Sequence, residues 1–206
     1  MLHLLPNQES HRRAAGWLAV CWLAAVVGGL GGLMAYASLP GESLPPPAAP
    51  RRDAFGAGAG KPWRLYVAAH PKCPCTLATI AELARLMRHV EPEVACRVLI
   101  YTPEANADGW METALVRAAR RIDGVEVVAD PGGEQAELLG VRVSGGVVLY
   151  DHAGAPRFHG GVTAARGHEG ASVGGAAIRS LVAGREAPAH APVFGCELRT
   201  PAKERL

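Results

Sequence analysis

From Ala14 to Leu39 the chain runs for 26 residues without a charged side chain. As a helix at about 1.5 Å per residue this stretch covers about 39 Å, enough to cross a hydrocarbon core of roughly 30 Å with tilt. His11, Arg12 and Arg13 precede it, and Trp17, Trp22 and Tyr36 lie toward its ends. A basic cluster, an apolar run and a polar linker, in that order, predict an uncleaved signal-anchor at residues 14–39. By the positive-inside rule residues 1–13 stay cytoplasmic and the rest is exported, giving a single-pass protein of a bacterial-type inner membrane with a periplasmic C-terminal domain. Arg51 and Arg52 weaken that asymmetry but lie more than ten residues beyond the span. The alternative is a signal peptide cleaved after Ala37, since Ala35-Tyr36-Ala37 has the small-x-small form a signal peptidase accepts. Against cleavage, the apolar run is longer than the about 7–15 residues of a typical signal-peptide core. Gly28 and Gly32 form a small-residue pair that would let two such helices approach, and Cys21 reads as a small lipid-facing residue.

The chain as a whole is close to neutral: Lys and Arg exceed Asp and Glu by two, 21 against 19. That balance excludes a nucleic-acid binder, which needs a concentrated basic face, and an acidic disordered chain. Residues 40–62, rich in Pro and Gly, read as a spacer holding a domain off the membrane. The folded domain is expected from Trp63 to Cys196, with a polar tail at 197–206. Apolar runs predict strands at Leu65–Ala69, Val94–Tyr101 and Val125–Ala129, and a hairpin of Val147–Asp151 with Arg157–Gly160. Helical spacing predicts Thr76–His89, with Leu77, Ile80, Ala84 and Met87 inward and Thr79, Glu82, Arg85 and His89 outward. Further helices are expected at Trp110–Ile122, with Ala114, Leu115, Ala118 and Ile122 inward, at Glu134–Leu139 and at Ser172–Ala183. Strands separated by helices, then a hairpin and a last helix, indicate an α/β sheet with one antiparallel edge.

The chemistry sits where the first strand ends, in Ala69-His70-Pro71-Lys72-Cys73-Pro74-Cys75-Thr76. A residue before proline is pushed out of the α region, and proline is favoured at the first helical position, so Pro74 is expected at N1 and Cys73 at the N-cap. The Cys73 side chain would then face the free N–H groups of Cys75 and Thr76 and the positive end of the helix, with Lys72 alongside. Those conditions lower a thiol pKa, so Cys73 is the candidate nucleophile and Cys75 its partner. A disulfide across so short a loop would be strained and easily reduced, and it would constrain the unfolded chain little. The alternatives are a permanent local disulfide or two unpaired thiols. Cys96 lies mid-strand and reads as buried. Cys196, in Val193-Phe194-Gly195-Cys196, is a possible third redox thiol or metal ligand that the sequence alone does not place.

A strand ending at a cysteine pair that opens a helix resembles the active-site layout of thioredoxin-like proteins. Val125–Asp130, then Glu134–Val141, then Val147–Gly154 resemble the membrane-tethered TlpA and peroxiredoxin type. HPKCPC, SGGVVLYD, GGVTAARGHEG and the terminal VFGC look most like the RedB-type group of anchored thioredoxin-like proteins. The resemblance covers residues 63 to about 185 and implies a thioredoxin-like fold, a central mixed sheet with flanking helices. Two departures matter. The pair is C-x-C where the family has C-x-x-C, and the family's cis-proline position falls on Ser144-Gly145-Gly146.

The resemblance implies a tethered thiol–disulfide oxidoreductase with no cofactor, acting on a dithiol or disulfide protein in the extracytoplasmic space. Cys73 would attack and Cys75 resolve, supported by Lys72 and Pro74, with Ser144 and Gly145 presenting backbone groups to the substrate chain. The alternative, by analogy with the Sco proteins, is a copper-handling module in which Cys73 and Cys75 are joined by His70 and His168, with His159 a further candidate, since soft thiolates with imidazole suit Cu(I) or Zn(II). A third reading is a non-catalytic thioredoxin-like module that positions a membrane complex.

Overall fold

The computed structural model describes residues 8–47, 63–90, 92–104 and 107–199. Residues 1–7 of the expected cytoplasmic segment, the stretch 48–62 of the expected spacer (Arg51 and Arg52 included) and 200–206 of the expected tail lie outside the described residues. The chain divides into two compact units, one ending at Ala37 and one beginning at Ser38. The first is a single helix, α1 (Gln8–Ala37). Within His11–Ala37 an 18-residue window has a mean hydropathy of 2.0 and is not buried by protein, so the helix is long and apolar enough to cross a membrane.

The second unit follows the order β1 (Trp63–Ala69), α2 (Thr76–Val90), β2 (Val94–Thr102), a 3-10 turn (Trp110–Glu112), α3 (Ala114–Ala119), β3 (Val125–Pro131), α4 (Glu134–Leu138), β4 (Gly146–Tyr150), β5 (Pro156–Gly161) and α5 (Val173–Val182). The sheet order is β3-β2-β1-β4-β5. β1 runs parallel to β2, with Trp63 opposite Val94 and Ala69 opposite Ile100, and β2 runs parallel to β3. β4 is antiparallel to β1, and β5 to β4. The domain is a thioredoxin-like fold, a mixed five-stranded sheet flanked by helices.

The two-residue period of a strand sorts the core. Leu65, Val67 and Ala69 of β1 point to one face, where Ile80, Leu83 and Met87 of α2, Leu115 and Val116 of α3, and Ile178 of α5 cover them. Tyr66 and Ala68 point to the other, among Leu99, Leu139 and Tyr150 in one cluster and Tyr101, Ala136 and Leu198 in the next. β1 thus lies at the centre of the sheet, and its C-terminal end delivers His70–Cys75 to the edge of a rigid frame.

Helix faces differ from expectation in instructive ways. In α2 the buried set is Thr76, Ala78, Thr79, Ile80, Leu83, Leu86, Met87 and Val90, while Leu77 is exposed. The stripe is turned by about one residue because Thr79 faces inward under Gly145, where an added Cβ would approach its Oγ1 to 2.7 Å. The expected helix Trp110–Ile122 is broken at Thr113, whose extended backbone (φ −75°, ψ 162°) lets its hydroxyl cap α3 by accepting from the Val116 N–H. That break leaves Ala114 exposed and buries Val116 and Ala119. Part of the expected spacer lies against this unit: Gly41 bridges Val193, Ser43 bridges Val141, and Glu42 pairs with Arg142 at 3.2 Å. Part of the expected tail does likewise, since Glu197 bridges Val143 and Leu198 is buried.

Candidate functional site

The segment between β1 and α2 turns twice. The Cys73 N–H donates to the His70 carbonyl at 3.0 Å, and the Thr76 N–H donates to the Cys73 carbonyl at 3.2 Å. Regular helix begins at Thr76, so Pro74 and Cys75 form a 3-10-type lead-in instead of the first α-helical turn expected from Pro74. Cys73 is buried at 5% exposure, and Cys75 is partly exposed.

Cys196 arrives from the far end of the chain. Residues 196–198 run antiparallel to the loop before β4: the Ser144 N–H donates to the Cys196 carbonyl at 2.9 Å, and the Leu198 N–H to the Arg142 carbonyl at 2.8 Å. Gly195 passes so close to Ser144 that a Cβ there would sit 1.9 Å from the Ser144 carbonyl oxygen. Arg166 donates to the Gly195 carbonyl, and Arg199 holds the last described turn by donating to the Gly132 carbonyl at 2.8 Å and pairing with Glu137 at 2.6 Å. This strap brings the three sulfurs of Cys73, Cys75 and Cys196 within 4.8 Å of one another.

The loop at the family's proline position is held by other means. All described peptide bonds are trans, and Gly145 takes a left-handed φ of 92° that favours glycine. The Gly145 N–H donates to the Ala68 carbonyl at 2.8 Å, so this N–H and that of Ser144 are both used inside the domain rather than offered to a substrate chain. Ser144 is fully buried. Its hydroxyl accepts from the His70 N–H at 2.7 Å and lies 2.6 Å from the Thr76 hydroxyl. With the Thr76 hydroxyl donating to Cys73, a directed chain results: His70 N–H to Ser144, Ser144 to Thr76, Thr76 to the Cys73 sulfur.

These contacts divide the three thiols. Burial alone would push Cys73 up, but hydrogen bonds from the Thr76 hydroxyl, the Cys196 backbone and thiol, and the Thr76 backbone outweigh it and bring its pKa below the ordinary thiol value. Burial and then the neighbouring Cys73 charge push Cys75 up. Cys196 is pushed up to about 11 by burial, by the hydrogen bond it gives Cys73 and by the charges of Cys73 and Cys75. Cys73 is therefore the sulfur of the three that ionises first, flanked by two thiols that ionise later, the order that suits a nucleophile with resolving thiols at hand. Thr76→Val removes the last link of the hydroxyl chain. A hydrogen bond to a charged group contributes about 1.5–3 kcal/mol, so this variant is expected to slow alkylation of Cys73 near neutral pH by roughly tenfold, read by rate against pH.

Around this centre His70 stacks on Tyr101 with ring centroids 5.4 Å apart, and Trp110 meets both rings edge-on. Lys72 Nζ lies 4.0 Å from the Trp110 ring centroid, so its charge sits over an aromatic face beside the cysteines. Burial and then Lys72 push the His70 imidazole below its ordinary pKa, and its Nδ1 accepts from the Lys72 N–H at 3.2 Å. Among the described residues the His, Cys, Asp and Glu groups near enough to share one metal ion are Cys73, Cys75 and Cys196. His70 and His168 stand outside that set, and His159 pairs with His190 at 4.8 Å between ring centroids. Cys96 is buried in β2. Sequence reasoning passed over the Thr76 hydroxyl, Tyr101, Trp110, Arg166 and Gly195. The glycine immediately before Cys196 is the one local signal of the strap's close approach.

No family model and no curated protein matches the sequence. Among solved structures, a hypothetical protein from Sinorhizobium meliloti 1021 shares 18% identity at a TM-score of 0.58, over 80% of this chain and 96% of that one. An uncharacterized conserved protein from Geobacillus kaustophilus shares 18% at a TM-score of 0.57, over 80% and 94%. A secreted Mycobacterium tuberculosis disulfide oxidoreductase homologous to E. coli DsbE shares 15% at a TM-score of 0.42, over 60% and 81%. The sheet order and its connections make the fold thioredoxin-like. In this one the end of β1 carries a Cys-Pro-Cys pair and the C-terminal strap carries a third cysteine.

Proposed function

We propose that the chain is a membrane-tethered, extracytoplasmic thiol–disulfide oxidoreductase of the RedB or TlpA-like kind, with Cys73 as nucleophile. The observation that supports this most is the gathering of three sulfurs within 4.8 Å of one another, with the pKa of Cys73 lowered and those of Cys75 and Cys196 raised. The Cys73 thiolate attacks one sulfur of a partner protein's disulfide. A Cys73–partner disulfide forms, the partner disulfide breaks, and the other partner sulfur leaves as thiolate. Cys75 then loses its proton and attacks Cys73, forming the Cys73–Cys75 disulfide and releasing the second partner sulfur. Two electrons pass from the dithiol to the partner, and the reverse sequence oxidises a partner dithiol. Cys196 lies within the same reach and serves as a third redox thiol. Lys72 and Pro74 shape the approach to Cys73, while Ser144 and Gly145 hold the loop beneath it. α1 is the tether, with His11, Arg12 and Arg13 on the cytoplasmic side.

The test uses the full chain in detergent, reduced, with oxidised glutathione or insulin as the disulfide. Wild type is expected to reduce either probe and Cys73→Ser to fall to the uncatalysed rate. Full activity in Cys73→Ser overturns the reading.

A further inference from the structure

We infer that the reduced chain binds one Cu(I) ion through the three sulfurs of Cys73, Cys75 and Cys196. The first ground is distance. Three sulfurs in a plane around an ion at a metal–sulfur length of about 2.3 Å lie about 4.0 Å apart. The three sulfurs here already lie within 4.8 Å of one another, so closure onto an ion needs side-chain adjustments smaller than one bond length.

The second ground is how the third sulfur is held. Cys196 belongs to a strap fixed on both sides: by Arg166 at Gly195, by the pairing of residues 196–198 with the loop before β4, by buried Leu198 packed against Ala68, Tyr101 and Ala136, and by Arg199. Fixing the ligands in place before the ion arrives lowers the ordering cost of binding. Beneath Cys73, buried Ser144 is held by the Thr76 hydroxyl 2.6 Å away.

The third ground is the donor set. Soft thiolates select Cu(I), which three sulfurs satisfy, whereas structural zinc sites close with four protein ligands. No imidazole or carboxylate joins the three sulfurs among the described residues. Binding is not a redox step: each of the three sulfurs still protonated gives up its proton to solvent, three Cu–S bonds form, and copper stays Cu(I). The resulting excess of negative charge is offset in part by the Arg166 guanidinium bonded to the Gly195 carbonyl, one residue from Cys196. Oxidation of any pair to a disulfide removes two ligands, so only the reduced protein qualifies.

The experiment is an anaerobic titration of the reduced full chain in detergent with Cu(I) against a chromogenic Cu(I) chelator, with proton release followed and X-ray absorption recorded on the copper-loaded protein. The expected results are one Cu(I) per chain, three sulfurs per copper and no binding by oxidised protein. Removing a partner outside the ligand set already costs about 10–100-fold in affinity at metal sites, so Cys196→Ser is expected to weaken binding by more than about 100-fold. Two sulfurs per copper, unchanged affinity in Cys196→Ser, or no binding by the reduced wild type overturns the inference. If Cys196→Ser does not fold, the wild-type absorption spectrum decides alone. Disulfide exchange is read separately: exchange without Cu(I) binding removes only this inference, and Cu(I) binding without exchange removes only the oxidoreductase reading.

Discussion

A chain carrying Cys75→Ser and Cys196→Ser together is expected to accumulate as a mixed disulfide with its partner through Cys73, while either single variant is not. The reason is the three-sulfur geometry. In Cys75→Ser the Cys196 sulfur still lies within 4.8 Å of Cys73 and can resolve the intermediate in place of Cys75. An intramolecular attack by a positioned group outcompetes one from solution by large factors, so removing both resolving thiols should lengthen the life of the mixed disulfide by roughly a thousandfold or more. Non-reducing electrophoresis with mass spectrometry of the crosslinked peptide reads the result. Trapping through another cysteine contradicts the assignment, and equal trapping by Cys75→Ser alone removes Cys196 from resolution.

Gly195→Val is expected to disable the strap while leaving every cysteine in place. A Cβ at this position would sit 1.9 Å from the Ser144 carbonyl oxygen and 3.0 Å from its carbon, and backbone cannot swing aside as a long side chain can. The strap must lift, taking with it the Cys196 backbone and thiol donors to Cys73, the Arg166 bond to the Gly195 carbonyl and the pairing at Ser144. Overpacking of this kind costs about 1–3 kcal/mol, visible as a lowered denaturation midpoint. The larger expected effect is chemical: Cys73 loses donors that hold its pKa down, so its alkylation shifts to higher pH. A variant with wild-type alkylation and wild-type stability would contradict the strap's role.

Much of the domain was legible because its signals are local. The apolar runs of β1 and β2, the Gly140 stop after α4 and the turn at His152–Gly154 each encode their own element, and the structure places strands and helices there. The helix faces were less so. Periodicity put Leu77 inside and Thr79 outside, but Thr79 is drawn in under Gly145, a contact between residues far apart in sequence that no local pattern carries. Thr113 splits the expected Trp110–Ile122 helix because its hydroxyl caps better than it continues a helix. At the site, proline spacing pointed to Cys73 as the activated sulfur, and the division of pKa values has the same direction. Its cause is wider than the helix terminus, since the donors include Thr76, backed by Ser144, and Cys196, 123 positions later (196 − 73). Sequence could name Cys196 as a third thiol but could not place it, because its position depends on a strap docking across the whole domain. The aromatic count of 5% gave no hint that Tyr101 and Trp110 gather around His70 and Lys72 beside the cysteines.

The most direct measurement is site-mapped alkylation of the reduced native protein across a pH series. The account predicts that Cys73 labels first, with its midpoint below the ordinary thiol value of 9.0, that Cys75 follows above it, and that Cys196 labels only as the pH approaches about 11. Labelling of Cys75 or Cys196 ahead of Cys73, or of all three together near the ordinary value, would contradict it.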